Sequence, residues 1–294
     1  MFNGAKKYGP KQFDQTMEAA GGSNNAYTSR DLTVYQDWFP KSALELIFDL
    51  EADRIRDLSF DPKVIESERG VVASERRSSV DANNFGILFE QLFATAYTAH
   101  PYQWPVVGWM VDIENWKIDD LKRHFEMGYS PSNATMVVSG DISAEEIFKL
   151  AEKFIEPIPS HAPAAVTTKE PAQLGERRAV IKKFAQLPIL MMGYHVPEAK
   201  HADYYALQML QTILFSGQSS RMYQRIVDKD QLALSVGGGS GPTFDPTLFT
   251  ISSQPKANVA PEKIEAAIYD EFEKVKTVGV TDEELQKARN ILLA

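Results

Sequence analysis

Apolar residues recur with a helical period along most of the chain and with a strand period in a few short runs. Spacings of three to four residues predict helices, and clusters of β-branched and aromatic residues between turn signals predict strands. The predicted helices span residues 10–20, 40–58, 61–79, 83–97, 117–129, 143–157, 202–214, 219–229, 261–278 and 281–293. The predicted strands span residues 23–29, 32–39, 134–140, 177–184, 188–196, 232–240 and 247–254.

The helix predicted over residues 61–79, DPKVIESERGVVASERRSS, has an unusual apolar face. Asp61 stands at the N-cap position, and a proline follows in the first turn. The apolar residues of this helix form one stripe, and Glu68 and Glu75 lie in the middle of it. This placement predicts at least partial burial of both carboxylates. A buried carboxylate pairs with a cation, takes up a proton or binds a metal.

Two interpretations of the glutamate pair remain open from the residues alone. In the first, the face is partly solvated and the glutamates pair with arginine. In the second, one carboxylate is the third zinc ligand beside two imidazoles. The other lies about 10.5 Å away along the helix axis, so it would support a ligand rather than share the ion. The five histidines contain no i, i+4 pair and no H-x-x-E-H or H-E-x-x-H motif.

Composition excludes several classes of function. The chain has 294 residues, of which 44% are hydrophobic and 24% charged, and this is ordinary for a globular protein. A net charge of −9 without a basic block argues against a nucleic-acid partner. The absence of cysteine excludes disulfides, thiolate metal sites and a cysteine nucleophile. No apolar run approaches the roughly 18 residues of a membrane helix.

The predicted elements divide into two similar halves. Residues 158–175 are rich in proline and alanine and lack periodicity, so they are interpreted as a linker between domains 1–157 and 176–294. A strand, a turn, a strand and two helices occur in the same order in both domains, which predicts an internal duplication. The fold class expected is α+β, with two similar domains that each have a mostly antiparallel sheet covered by helices.

Several words of the sequence resemble the insulinase/pitrilysin family of zinc metallopeptidases, especially its processing-peptidase branch. They are MFNGAKKYGPKQF, GGSNNAYTSRDLTVYQ, SERGVVASERR and HPYQWPVVG, with SGQSSRMYQRI and QLALSV as weaker matches in the second half. The family uses the inverted motif H-x-x-E-H, in which two histidines bind one zinc ion and the glutamate activates water. By the register of the resemblance, this motif and the general base are expected upstream of Met1. The second domain is likewise expected to be truncated at its C-terminal end.

The resemblance implies roles for five residues. Glu75 matches the third zinc ligand, and Glu68 matches the nearby glutamate that supports the site. Asn25 and Ala26 match the edge strand on which the substrate lies, as an extended peptide adds to an open sheet edge through backbone hydrogen bonds. Phe2 matches an apolar wall of the pocket after the scissile bond, and a simple core role for it is equally compatible with the sequence.

Three residues of the second half have no clear role in the resemblance. Leu234 stands where relatives often have a tyrosine that helps to hold the substrate. Arg221 and Tyr223 are conspicuous polar groups in SSRMYQR, and structural roles are favoured for both.

The function implied by the resemblance is that of a zinc-dependent endopeptidase acting on extended or unfolded peptides. The chain as given is expected to be inactive because it lacks the H-x-x-E-H half of the site. The alternative is a non-catalytic subunit that holds substrate for an active homologous partner. Association with a homologous partner subunit, or with a second copy of the chain, is compatible with both the endopeptidase and the non-catalytic subunit. The compartment is left open, and bacterial periplasm and cytoplasm both fit.

Overall fold

The computed structural model describes residues 3–163 and 168–294, and Phe2 lies outside them. The α-helices are α1 Gln12–Ala19, α2 Leu44–Arg56, α3 Pro62–Arg76, α4 Asn84–Ala96, α5 Met110–Asn115, α6 Ile118–Gly128, α7 Ala144–Phe154, α8 Tyr204–Phe215, α9 Pro261–Val278 and α10 Asp282–Leu293. The strands are β1 Ser23–Thr28, β2 Thr33–Trp38, β3 Leu190–Val196, β4 Ala233–Gly239 and β5 Thr247–Pro255.

The chain forms two compact units. The first contains Met1–Arg76 and Val106–Thr168, and the second contains Arg77–Pro105 and Lys169–Ala294. Every strand pair in the described residues is antiparallel, and helices cover most of the remaining chain. The predicted α+β class is therefore confirmed. The domain bounds and the duplication stay predictions.

The first unit is built on α1, α2 and the hairpin of β1 and β2. Its core consists of Phe13, Met17, Ala43, Ile47 and Leu50. The hairpin is antiparallel, and its register runs from Ser23 opposite Trp38 to Thr28 opposite Thr33. In the described residues, β1 pairs with β2 alone, so its other edge is available.

The N-terminal segment of the first unit is held by one buried carboxylate. Asp53 of α2 accepts hydrogen bonds from the backbone N–H groups of Lys7 and Tyr8, both at 3.0 Å from its Oδ2. A carboxylate that accepts two backbone donors satisfies groups that would otherwise be left unpaired. The N-terminal segment around Lys7 and Tyr8 is thus fixed to α2, the same helix that contributes to the core beside the hairpin.

The second unit contains a three-stranded sheet in the order β3-β5-β4. The central strand β5 is buried along most of its length, as expected for a strand with a neighbour on each side. The core of this unit is formed by Leu214, Phe215, Met222, Ile226, Ala233, Val236, Phe249, Ile251, Ile264, Ala267 and Ile268. Glycine suits position 238 of β4, because a Cβ there would lie 3.0 Å from the ring of Phe215 and 3.1 Å from the Thr250 carbonyl oxygen, and the neighbours would have to move by a few tenths of an ångström.

Two predicted strands are wrong and one helix was missed. Residues 134–140 and 177–184 have strand composition but take part in no ladder within the described part of the chain. Val137 is 85% exposed, and Phe184 is also exposed. A strand needs a backbone partner, and local composition cannot supply one. The missed helix α5 has only six residues, which is too short for a periodic pattern.

Candidate functional site

Helix α3 begins where the sequence predicts. Oδ1 of Asp61 accepts hydrogen bonds from the backbone N–H of Lys63 at 2.8 Å and from that of Val64 at 3.2 Å, which confirms the predicted N-cap. A π-helical turn, Arg77–Asp81, follows the helix directly. The helix predicted over residues 61–79 is therefore confirmed except for its last turn.

The buried face of α3 differs from the predicted one. The buried residues of this helix are Ala73 and Arg76, whereas Val71 is 56% exposed. Glu68 is half-buried and Glu75 is exposed. The expectation that both carboxylates are partly buried is therefore wrong for Glu75. A long arginine can bury its methylene stem and place its head on backbone carbonyls, so an apolar stripe does not by itself define the buried face.

Glu68 and Glu75 remain on one side of α3, nearly two turns apart. Their helical separation corresponds to a rise of about 10.5 Å, which is too long for both carboxylates to enter the first coordination shell of one ion. Each can accept bonds from a histidine N–H or bind a cation that approaches from outside the helix. The sequence pattern thus placed Glu68 and Glu75 correctly on a shared face of α3. It overestimated the burial of that face at Glu75.

The signal for the packed arginines, the half-buried Arg69 and the buried Arg76, was present in the sequence. The tripeptide Ser-Glu-Arg occurs at residues 67–69 and again at residues 74–76. A seven-residue repeat keeps each position of the tripeptide on one face of a helix, within about 20°. The two glutamates and the two arginines therefore form neighbouring stripes on the helix. The arginine stripe is the one that packs against residues 108–116.

The predicted substrate strand is β1. Asn25 is exposed and Ala26 is half-buried, and they lie opposite Gln36 and Tyr35 of β2. The backbone N–H of Ala26 donates to the side-chain oxygen of Asn25 at 2.9 Å. A side chain that accepts a hydrogen bond from a strand N–H makes the open edge less able to pair with a strand of another chain. An incoming peptide would displace this contact to bond the same N–H.

A buried charged cluster lies behind the hairpin. Arg54 is 2% exposed, and its guanidinium carbon lies 4.5 Å from the ring centre of Phe13 and 4.3 Å from that of Tyr35. It donates from Nε and Nη2 to the two carboxylate oxygens of Glu51, at 2.8 and 2.5 Å. Burial and, to a smaller extent, nearby Asp37 raise the pKa of Glu51 to about 8, against the attraction of Arg54.

Arg221 has a structural partner in the second unit. It donates from Nε and Nη2 to the two carboxylate oxygens of Glu284, at 2.5 and 2.7 Å, beside the first turn of α10. The backbone N–H of Thr281 donates to the same carboxylate at 2.8 Å. The hydrogen bonds from Arg221 lower the pKa of Glu284 to about 2. Leu234 is 53% exposed on β4, and Tyr223 is half-buried.

This pair predicts an acid-sensitive contribution to stability. Because the pKa of Glu284 is depressed in the folded state, its contribution is present above the ordinary value of 4.5 and is lost as the pH falls toward 2. Glu284→Gln should lower the free energy of unfolding by about 2 kcal/mol at pH 7 and by much less near pH 2. The matched control is Glu283→Gln, an exposed residue of the same turn. Urea unfolding that shows equal losses at both pH values would contradict the prediction.

The described residues do not supply a complete metal site. They contain no group of three or more histidine, cysteine, aspartate or glutamate side chains arranged to hold an ion. A catalytic zinc site needs three protein ligands, and the described part of the chain does not bring three together. None of the helices in residues 3–163 and 168–294 is long and apolar enough to cross a membrane.

Comparison with known proteins defines the class of protein. The family model described as insulinase, peptidase family M16, matches residues 1–108, and the model described as peptidase M16 inactive domain matches residues 115–292. The chain therefore belongs to the insulinase (M16) family of peptidases. This confirms the resemblance inferred from the sequence words.

The relatives are longer proteins. A protein named zinc protease PqqE from Helicobacter pylori is 34% identical over 292 residues, which are 98% of this chain and 66% of the relative. A probable mitochondrial-processing peptidase subunit beta from Schizosaccharomyces pombe is 30% identical over 269 residues, covering 85% of this chain and 57% of the relative. The chain thus spans between about half and two thirds of these two proteins.

The fold is shared with solved structures. The crystal structure of a protease from Helicobacter pylori matches with a TM-score of 0.94 and 33% identity, over 99% of this chain and 71% of that one. A peptidase M16 inactive domain from Pseudomonas fluorescens matches with a TM-score of 0.90, over 100% of this chain and 71% of that one. The second structure is only 20% identical, so it supports the fold alone.

Proposed function

We propose that this chain is part of a zinc-dependent endopeptidase that cleaves extended or unfolded peptides. In this proposal Glu75 is the third zinc ligand, and Glu68 supports a ligand of the same site. The two histidines and the general-base glutamate belong to an H-x-x-E-H segment outside residues 1–294. The observation that carries the proposal is the outward-facing glutamate pair on α3 in a chain of the insulinase family.

The proposed peptide site is the open edge of β1. An extended substrate would bond the backbone of Asn25 and Ala26 and displace the Asn25 side chain from the Ala26 N–H, which lies 2.9 Å from it. Backbone recognition of this kind is compatible with many sequences, and it favours unfolded peptides over folded proteins. Phe2 is proposed to line the pocket beyond the scissile bond.

The second candidate function is that of a non-catalytic subunit that holds substrate for a homologous active partner. The match of residues 115–292 to a family model described as an inactive domain favours it. The lack of a complete metal-ligand set in the described residues is also compatible with it. Glu68 and Glu75 favour the enzyme, since a subunit without zinc has no chemical use for them on this face.

The two candidates differ in the DNA upstream of codon 1. In-frame codons for H-x-x-E-H shortly before Met1 would support the zinc peptidase. A stop codon in that frame would support the non-catalytic subunit. The zinc content of the protein expressed from its natural gene distinguishes the two candidates independently, because only the zinc peptidase should contain the metal.

The 294-residue chain alone is expected to hydrolyse no peptide and to bind zinc weakly. A single carboxylate cannot replace two imidazoles and a carboxylate, because the divalent ion would keep most of its water shell. The measurements are zinc content after dialysis and cleavage of a fluorogenic peptide library. Robust cleavage that a chelator abolishes would contradict this prediction.

A further inference from the structure

The side of α3 next to the glutamates is held by Arg69. Its Nη1 donates to the carbonyl oxygen of Ile113 at 2.5 Å, and its Nη2 donates to that of Trp116 at 2.9 Å. The guanidinium carbon lies 5.2 Å from the ring centre of Trp116. Arg69 also contacts the exposed Glu66 at 3.1 Å. One arginine thus joins α3 to the end of α5 through two carbonyls and one aromatic face.

Arg76 makes a similar set of contacts one repeat later. Its Nη1 donates to the carbonyl oxygen of Gly108 at 2.8 Å, and its guanidinium carbon lies 5.5 Å from the ring centre of Trp109. The side chain is only 5% exposed. Arg69 and Arg76 therefore fix both ends of residues 108–116 against one face of α3.

Apolar packing on α3 is partial, since Val64, Ile65 and Val72 are half-buried. Ala73 is its only buried apolar residue, and alanine is too small to select one rotation of a helix about its axis. The planar guanidinium fork, by contrast, has fixed donor directions and stacks flat on an aromatic ring. The two arginines therefore supply the directional contacts that favour one rotation of α3 about its axis.

Each arginine directly follows one of the two glutamates. Adjacent residues of an α-helix are separated by about 100° around the axis, so fixing the direction of Arg69 and Arg76 also fixes that of Glu68 and Glu75. A rotation of α3 by even part of one residue step would turn both carboxylates away from a ligand that approaches from a constant direction.

We propose that Arg69 and Arg76 are positioning residues for the metal site. By clamping α3 to residues 108–116, they hold Glu75 toward the zinc and Glu68 toward the ligand that it supports. The inference rests on the proposed role of Glu75 as a zinc ligand. It goes beyond that role because it assigns the orientation of the ligand helix to two arginine–tryptophan contacts in the same unit.

The test uses the form of the protein that carries an upstream H-x-x-E-H segment. Arg69→Lys and Arg76→Lys keep the charge and lose the fork, and each should raise the zinc dissociation constant about 10–100-fold, the usual effect of losing a supporting group. The control is Arg123→Lys. Arg123 is an exposed arginine of α6 whose side chain donates a hydrogen bond to the neighbouring Asp120. Zinc affinity is measured by competition with a chelating dye, beside the melting temperature.

The outcomes separate this inference from the proposed function. If Glu75→Gln, measured in parallel, retains zinc, the proposed function fails. If Glu75→Gln loses zinc while both lysine variants bind it as the wild type does, the clamp is not a positioning device and this inference fails. Weakened zinc binding in lysine variants with a nearly unchanged melting temperature supports it.

A milder variant covers the case in which the lysine variants do not fold. Trp116→Leu leaves the backbone carbonyl in place for Arg69 and removes the aromatic face on which the guanidinium stacks. It should raise the zinc dissociation constant several-fold, less than loss of the fork. Wild-type zinc affinity in a folded Trp116→Leu protein would overturn the inference.

Discussion

Glutamine at position 75 is expected to abolish zinc binding and zinc-dependent cleavage in the form of the protein that carries H-x-x-E-H, while the fold stays intact. The substitution keeps the size and hydrogen-bonding capacity of Glu75 but removes the charge that helps to hold the dication. Glu75 is exposed on α3, so its replacement changes no buried side chain. The expected loss of zinc affinity exceeds the roughly 100-fold upper range for a supporting group.

Two further variants make this result specific. Glu68→Gln should be milder and should reduce zinc affinity or turnover by about 10–100-fold. Glu152→Gln removes a charge from an exposed glutamate of α7 and should change neither quantity. Zinc content and turnover are measured for all three proteins. The assignment of Glu75 fails if its variant keeps a full complement of zinc, or if the Glu152 variant loses as much.

The largest effect on stability is expected from Arg54→Met. This change leaves the carboxyl group of Glu51 without the guanidinium that bonds both of its oxygens. Each hydrogen bond to a charged group contributes about 1.5–3 kcal/mol, so the loss of the two hydrogen bonds from Arg54 to Glu51 should cost about 3 kcal/mol or more. The free energy of unfolding is measured with urea at pH 7, beside Arg56→Met as the control. Arg56 is an exposed neighbour paired with Asp57, and its loss should cost less than about 1 kcal/mol.

The pH dependence of this cluster gives a second readout. The pKa of Glu51 is raised from 4.5 to about 8 in the folded state, so the folded protein holds a proton that the unfolded chain releases. The contribution of this group to stability therefore falls as the pH rises from 4.5 to 8. Arg54→Met removes the attraction that lowers this pKa, so the fall should extend to higher pH. An Arg54→Met protein as stable as the control across this range would contradict the account.

Replacing both partners is expected to recover part of the loss. In Arg54→Met/Glu51→Leu no unpaired polar group of the pair is left, and apolar side chains of similar volume can fill the space. The double variant should therefore be more stable than Arg54→Met alone. A double variant less stable than Arg54→Met would contradict this expectation.

Local sequence signals predicted the elements of the chain well. The N-cap at Asp61, the hairpin of β1 and β2 and the long helices α2 and α9 all have side chains whose spacing or capping chemistry acts within a few residues. Such signals operate through local backbone geometry and hydrogen bonds, so they are readable without knowledge of the rest of the fold. The short helix α5 escaped because six residues cannot show a period.

Strand pairing was not readable in the same way. The segments 134–140 and 177–184 have the β-branched composition of strands and no ladder in the described residues, whereas 188–196 and 247–254 pair as β3 and β5. A ladder joins residues that are distant in sequence, and composition does not specify the partner. The sequence words likewise identified the insulinase family, since a run of side chains in a fixed order is a property of the chain itself.

The sequence by itself thus determined the family, most of the helices, the edge hairpin and the shared face of Glu68 and Glu75. Only the tertiary structure decided which side of α3 is buried. The valine stripe suggested one answer, but the buried positions are taken by Ala73 and Arg76, and Val71 is exposed. The reason is physical: carbonyl oxygens and tryptophan rings of residues 108–116 bind the arginine forks, and no local pattern in α3 encodes where those acceptors lie.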